Sequence, residues 1–124
     1  MAELTAACPS FAGAWADYRA EWADDPDPHP FLETGRFANH LVDLLERGEV
    51  VEMPTVFEAV ERLLVDDDAG VRDLVKIGLI ESLGNVASNR HGWRWAARFR
   101  DWLGPRATEA WEDIHRMWGT SDAG

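Results

Sequence analysis

Residues 54–83 read PTVFEAVERLLVDDDAGVRDLVKIGLIESL, and this stretch decides the fold. Pro54 suits a first helical position, and the apolar residues after it recur every three or four positions as far as Val65. Three aspartates at 66–68 interrupt that pattern, and a second helix with a broader apolar face follows over about residues 69–83. The stretch therefore predicts two helices joined by an acidic turn, the second of them at the centre of the fold.

Two more helices are predicted on the N-terminal side. The first begins near Pro9 or Ser10 and places four aromatic residues along one stripe, because they are spaced four, three and four positions apart. These residues are Phe11, Trp15, Tyr18 and Trp22. The segment DDPDPHP at 24–30 ends this helix, since proline removes backbone donors and disfavours the α region before it. A second helix then runs from about residue 32 or 33 to 47, with Gly48 as its C-terminal cap.

Two helices are also predicted on the C-terminal side. Polar residues 84–89 read as a loop, a fifth helix follows over the aromatic residues between 90 and 103, and Gly104-Pro105 separates it from a sixth. No segment alternates with period two, so we expect no sheet. The sequence predicts an all-α fold of about six helices in antiparallel hairpins, forming a compact bundle with a HEAT-like hairpin in the middle.

The length predicts a single domain over residues 1–124. Within it we distinguish an aromatic N-terminal helix with a proline- and aspartate-rich linker at 1–30, a helical core at 31–118, and a flexible tail at 119–124. One cysteine, Cys8, excludes an internal disulfide framework and fits a reducing cytoplasm. We find no secretory signal, and the longest uncharged apolar run is too short to cross a bilayer. We therefore expect a cytoplasmic protein without membrane contact.

The sequence favours a basic partner. Its 12 Lys and Arg against 23 Asp and Glu give a formal charge of −11, which disfavours direct binding to nucleic acid or anionic lipid. The charge is uneven: residues 1–89 contain 18 acids and 6 bases, net −12, whereas residues 90–124 contain 5 acids and 6 bases, net +1. An acidic surface of this kind steers a basic protein into contact, although it also serves solubility.

Seven residues are candidates for partner binding. Two groups of aspartates lie at helix ends, where loops hold side chains outward, although aspartate there is also a favourable cap. The tryptophan between Gly92 and Arg94 either packs under a loop or anchors a partner, as tryptophan does at interface hot spots. The candidates are Asp24, Asp25, Asp27, Asp66, Asp67, Asp68 and Trp93.

Catalytic and metal-binding patterns are weak. We find no Gly-x-Ser-x-Gly, no cysteine–histidine signature and no glycine-rich phosphate loop. Glu112-x-x-His115 has the spacing of a di-iron ligand pair, but such sites need two copies and two more glutamates. We place this pair on an exposed charged face of the last helix, and we see no partner ligand for His40 and Asp43. We therefore expect no catalytic residues, no metal and no cofactor.

Four short segments carry a family resemblance. They are VFEAVERLL at 56–64, VRDLV at 71–75, GLIESL at 78–83, and Leu103-Gly104-Pro105 followed by Trp111. Over about residues 37–118 the chain resembles a largely uncharacterised family of small, acidic, all-helical bacterial proteins that are immunity-protein-like. The resemblance implies a cytoplasmic protein that neutralises a toxin, and it assigns no catalytic residue. Glu81 is either a buried, paired carboxylate or a toxin-facing one.

Charge and resemblance together predict a non-catalytic immunity protein or antitoxin. It binds a basic cognate toxin through an acidic surface, with carboxylates taking the places of the phosphates that a nucleic-acid-directed toxin would bind. We expect a monomer or a weak homodimer. The alternative is a helical scaffold or adaptor that self-associates through its first and last helices. A metal-dependent helical-bundle enzyme is a third, less favoured interpretation.

Overall fold

The computed structural model describes residues 1–118, and every regular element in that range is helical. The helices are α1 (Ala2–Ala7), α2 (Ala12–Glu21), α3 (Pro30–Glu46), α4 (Met53–Leu64), α5 (Ala69–Asp73), α6 (Ser82–His91), α7 (Trp93–Ala96) and α8 (Pro105–Trp118). Two 3₁₀ helices, Pro9–Phe11 and Ala97–Trp102, precede α2 and follow α7, and a π-helical segment, Leu74–Glu81, joins α5 to α6. The all-α prediction is confirmed. The predicted flexible tail, 119–124, lies outside the described residues.

A continuous helical rod runs through the centre of the fold from Ala69 to His91. The backbone keeps right-handed helical angles at Leu74 and at Ser82, where α5, the π-helical segment and α6 meet. The prediction of a loop at 84–89 is wrong. These residues are polar on average but still amphipathic, because Ala87 is buried while the polar side chains around it face outward, and the rod ends only at Gly92, which has φ +87°.

Helix α3 packs closely against the middle of the rod, and a glycine makes this approach possible. A Cβ atom added at Gly78 would lie 2.5 Å from Thr34 Oγ1, which is shorter than any ordinary contact. Thr34 is only 1% exposed, and its hydroxyl donates to the carbonyls of Pro30 and Phe31 within α3. The hydroxyl thus finds its hydrogen-bond acceptors within its own helix, and the absence of a side chain at Gly78 avoids a steric clash with it.

One hydrophobic core joins the N-terminal segment to the rest of the chain. Leu4, Cys8 and Phe11 are buried in the same cluster as the apolar faces of α3, α4 and the rod. Helix α1, which packs on α4, is absent from the sequence prediction because six residues with a single large apolar side chain give no periodic signal. Within residues 1–118, no helix is both long enough and apolar enough to cross a membrane.

Helix ends predicted at Gly48 and at Gly104-Pro105 lie where expected, whereas α3 begins at Pro30, two or three residues earlier than predicted, because proline suits a first helical position. Helix α3 ends in a Schellman motif: Glu49 N–H donates to Leu44 O at 2.9 Å, Gly48 N–H donates to Leu45 O at 3.1 Å, and Gly48 has φ +72°. The predicted fifth helix is instead the short α7 followed by a 3₁₀ helix, with its aromatic side chains still directed to the core.

The first turn of α8 is held by a glutamate from another helix. Glu61 of α4 accepts hydrogen bonds from Arg106 N–H at 2.9 Å and from Ala107 N–H at 2.7 Å. A Cβ atom at Gly104 would collide with the Glu61 side chain, so the Gly104-Pro105 pair both starts α8 and admits its cap. Two backbone donors that a helix N-terminus leaves unpaired are satisfied in this way.

We expect Gly78→Ala to lower the free energy of unfolding by about 1–3 kcal/mol, because the added methyl group overpacks the contact with Thr34. Gly35→Ala is the matched control: its Cβ meets nothing within 4 Å, so helix propensity should raise stability by up to about 1 kcal/mol. Urea denaturation followed by circular dichroism measures both. Adding Thr34→Ala to Gly78→Ala should recover part of the loss; no recovery would contradict the steric explanation.

We expect Glu61→Ala to cost about 1–2 kcal/mol of unfolding free energy, the range for loss of a helix cap. Glu61→Gln keeps one acceptor oxygen and should lose less. Hydrogen exchange of the Arg106 and Ala107 amides should accelerate in both variants, and Glu58→Ala, an exposed residue of the same helix, is the control. If Glu58→Ala and Glu61→Ala lower the free energy of unfolding equally, Glu61 does not cap α8.

Candidate interaction surface

A cleft of about 450 Å³ opens between α2, the 24–30 loop and the start of α3. Aromatic and acidic side chains share its walls, and we call it the aromatic cleft. Its principal lining residues are Trp15, Tyr18, Arg19, Trp22, Asp25, Asp27, His29 and Glu33. The proline-rich segment predicted as a linker is thus a wall of this cleft.

The aromatic stripe predicted for the first helix forms a continuous row of rings. Trp15 stacks on Tyr18 with ring centroids 5.4 Å apart and planes 11° apart. Tyr18 contacts Trp22 at 6.3 Å, and Trp22 contacts His29 of the loop at 4.5 Å. Tyr18 is buried while both tryptophans are half-buried, and Trp22 Nε1 is a buried donor without an acceptor among residues 1–118.

The loop acids of the aromatic cleft are organised around Asp25. Its Oδ2 lies 2.8 Å from His29 Nε2, and its Oδ1 accepts from Asp27 N–H at 2.9 Å. The hydrogen bond from His29 lowers the pKa of Asp25, and the bond from Asp27 lowers it further. Asp25 therefore shapes the loop, whereas Asp27 is an exposed carboxylate and Asp24 is exposed outside the cleft.

A second cleft, of about 230 Å³, lies between α1, α3, α4 and the start of the rod. Its walls are mainly apolar, with Asp66 and Glu3 among them, and we call it the apolar cleft. Met1 lines both clefts, and the neighbouring residues Glu33 and Thr34 line one each. Of the two predicted acidic groups, Asp25 and Asp27 thus line one cleft and Asp66 lines the other, and Met1 adjoins both clefts.

The aspartates at 66–68 have different local roles. Asp68 is the N-cap of α5, and its Oδ1 accepts from Gly70 N–H at 2.7 Å. Asp66 Oδ1 accepts from Asp68 N–H at 2.9 Å, and Arg72 Nη1 donates to the Asp66 carbonyl at 2.6 Å. Asp67 is exposed. Helix capping explains only one of the three aspartates, Asp68. The turn therefore carries more negative charge than capping requires.

Trp93 lies at the other end of the rod and lines neither cleft. Its ring is half-buried against α8, with centroid distances of 4.7 Å to His115 and 5.6 Å to Trp118. Trp95 contacts His91 at 4.3 Å instead, so the two tryptophans pack against different neighbours, as their spacing predicts. A role for Trp93 in partner binding stays a prediction, separate from the acidic surface.

The predicted position of His115 is wrong. His115 is only 7% exposed, because α7 covers this side of α8 and places Trp93 on the imidazole ring. Glu112 is exposed as expected and forms an ion pair with Arg100 at 3.0 Å. Among residues 1–118, no three His, Cys, Asp or Glu side chains are grouped closely enough to hold a metal ion.

A polar set that sequence reasoning missed fastens the first 3₁₀ helix to α3 and α4. Ser10 Oγ lies 2.9 Å from His40 Nε2, and Glu52 accepts from Ser10 N–H at 3.0 Å and from Cys8 Sγ at 3.7 Å. Burial lowers the pKa of His40 and raises that of the Cys8 thiol. Glu52 binds the turn rather than the imidazole ring, so the set acts as a tie between elements and differs from a serine–histidine–acid relay.

Residues 1–119 match the domain of unknown function DUF7674. The chain belongs to the DUF7674 family. The DUF7674 match includes α1, α2 and the 24–30 loop, which the sequence resemblance over residues 37–118 leaves out. No curated protein and no solved structure matches the chain. The description of DUF7674 names no activity, so function has to be argued from the surface of the molecule.

We expect the Asp25 carboxyl group to titrate below its ordinary pKa of 3.8 in the folded protein. Its stabilising effect is then complete above 3.8 and is lost as the pH falls through the lower, folded-state value. Carboxyl ¹³C shifts measured against pH give the midpoint. His29→Phe keeps a ring against Trp22 but donates no hydrogen bond, so it should move that midpoint upward. An unchanged midpoint in this variant would exclude the imidazole as the main cause.

Proposed function

We propose that this DUF7674 protein is a non-catalytic immunity protein or antitoxin, which neutralises a cognate bacterial toxin in the cytoplasm by binding it. The observation that carries the proposal is the position of Met1 between the two clefts. Acidic groups that are about 40 residues apart in the sequence thereby belong to one surface, here called the acidic surface: Glu3, Asp25, Asp27, Glu33 and Asp66.

Electrostatics supports a basic partner for the acidic surface. Residues 1–89 carry a net charge of −12, and this part of the chain contributes the walls of both clefts. A surface of one sign accelerates encounter with an oppositely charged protein and repels nucleic acid. Toxins that act on nucleic acid carry basic clefts, and carboxylates presented to such a cleft occupy the places of substrate phosphates.

The apolar cleft supports binding affinity as well as encounter. Interface energy is concentrated in a few anchors that fill desolvated pockets, surrounded by polar contacts that exclude water. The apolar cleft has this composition, because Leu4, Leu63 and Leu74 line it together with Glu3 and Asp66. An apolar side chain flanked by arginine or lysine is the type of anchor that fits it.

The test is co-expression of the tagged protein with the products of adjacent genes, followed by pull-down. We expect capture of a basic protein. Capture should weaken when Asp25, Asp27 and Asp66 are changed to asparagine and Glu33 to glutamine, or when salt is raised, because exposed charges are screened. The amide side chains keep one acceptor oxygen each, so these changes remove the charge and disturb the loops less than alanine would.

A control variant carries the same change of charge outside both clefts: Glu58→Gln, Asp101→Asn, Glu109→Gln and Glu112→Gln. Its capture should match that of the unmodified protein. If both variants lose capture equally, net charge alone explains the effect, and the acidic surface is not the binding site. Failure to capture any neighbouring product, or failure to protect cells from a captured one, would refute the immunity role.

A scaffold that self-associates is the second candidate, and exposed apolar side chains favour it. Phe31, Val65 and Met117 are each more than half exposed, and Met117 lies on the last helix. Scattered apolar residues are common on monomers, so these side chains weigh less than the acidic surface. Light scattering over a range of protein concentrations separates the two candidates, because only a scaffold of this kind requires stable oligomers.

A further inference from the structure

The aromatic cleft has a chemistry that general acidity does not explain. Its walls combine a row of contacting aromatic rings with carboxylates, and proteins use this combination to hold organic cations. We propose that the aromatic cleft binds the guanidinium group of an arginine side chain presented by the partner protein. The inference rests on the proposed function in one respect only, which is that the partner carrying the arginine is the toxin.

The charges in the aromatic cleft favour a cation. Asp25, Asp27 and Glu33 line it together with two basic side chains, Arg19 and His29. Both carboxylate oxygens of Asp25 are already hydrogen-bonded, one to His29 and one to the Asp27 N–H. Asp27 and Glu33 are therefore the carboxylates that a ligand would contact. Glu33 also acts on the ring row: burial first, and then its negative charge, raise the pKa of Tyr18.

The fold already holds one guanidinium group in this way. Arg36 lies over the ring of Tyr18, with its Cζ atom 5.8 Å from the ring centroid, and its Nη2 atom lies 3.6 Å from Glu21 Oε1. An aromatic face and a carboxylate thus bind an arginine at the edge of the same row of rings. The aromatic cleft repeats this pair of features with Trp15, Trp22 and two carboxylates.

The shape of the aromatic cleft favours a peptide arginine over a small ion. A volume of about 450 Å³ exceeds the needs of a metal ion and falls within the range of small-ligand sites, about 300–1,000 Å³. Arginine suits the site better than lysine because its planar group stacks on rings and donates to two carboxylates at once.

The experiment uses the purified full chain and the tripeptide acetyl-Gly-Arg-Gly-amide, without any toxin. Binding is measured by changes in the indole and amide signals of ¹⁵N-labelled protein. Two matched peptides replace arginine with citrulline, which is isosteric and neutral, or with lysine. We expect millimolar binding of the arginine peptide, confined to signals of the aromatic cleft, and binding of citrulline at least about tenfold weaker because the charge is lost.

Variants test the residues named. Asp27→Asn with Glu33→Gln should weaken the arginine peptide by about tenfold or more, since both charge-assisted contacts are lost. Glu58→Gln with Asp101→Asn, the same charge change outside the aromatic cleft, should leave binding unchanged. Circular dichroism and thermal melting check that each variant is folded. Equal binding of arginine and citrulline, equal or tighter binding of lysine, or indifference to the Asp27 and Glu33 changes would overturn the inference.

The peptide and pull-down experiments fail independently. If a neighbouring gene product is captured through the acidic surface but the arginine peptide does not bind, the cleft inference is wrong and the immunity proposal stands. If the arginine peptide binds in the aromatic cleft but no product is captured, the cleft inference stands and the immunity proposal is wrong.

Discussion

The fold depends on the close approach of α3 to the central rod at Gly78 and Thr34. Because residue 78 has no side chain, the buried Thr34 hydroxyl sits against the rod while it bonds to its own helix. The start of α3 is fixed by this contact, and the start of α3 is also the shared wall of the two clefts, since Glu33 lines one and Thr34 the other. The geometry of the acidic surface therefore follows from a packing constraint inside the core.

The acidic residues of the protein serve structure and surface at the same time. Asp68 caps α5, Asp25 closes the 24–30 loop on His29, and Glu61 caps α8 from another helix. Each of these roles needs oxygen acceptors, and an amide keeps one of the two oxygens that Asp25 and Glu61 use. Amide substitutions therefore remove the negative charge and keep part of the structural role, whereas alanine substitutions remove both.

Much of the fold follows from the sequence because its signals are local. Pro54 and the glycine after α3 mark helix ends, and the apolar period of α4 identifies its buried face. The rod through 84–89 and the burial of His115 are different, because they depend on neighbouring helices that polarity alone does not reveal. The acidic groups can be recognised in the sequence, but the clefts that unite them depend on contacts between distant segments.

The bond between Glu61 and the first turn of α8 also bears on the order of folding. Its partners are separated by 45 residues, so the acceptor reaches those amides only after α4 and α8 have come together. Contacts of such long range are slow to form, because the entropy of closing a long loop is lost before the hydrogen bond can stabilise the closed state. This cap on the first turn of α8 is therefore expected to form only after α4 and α8 have docked, late in folding.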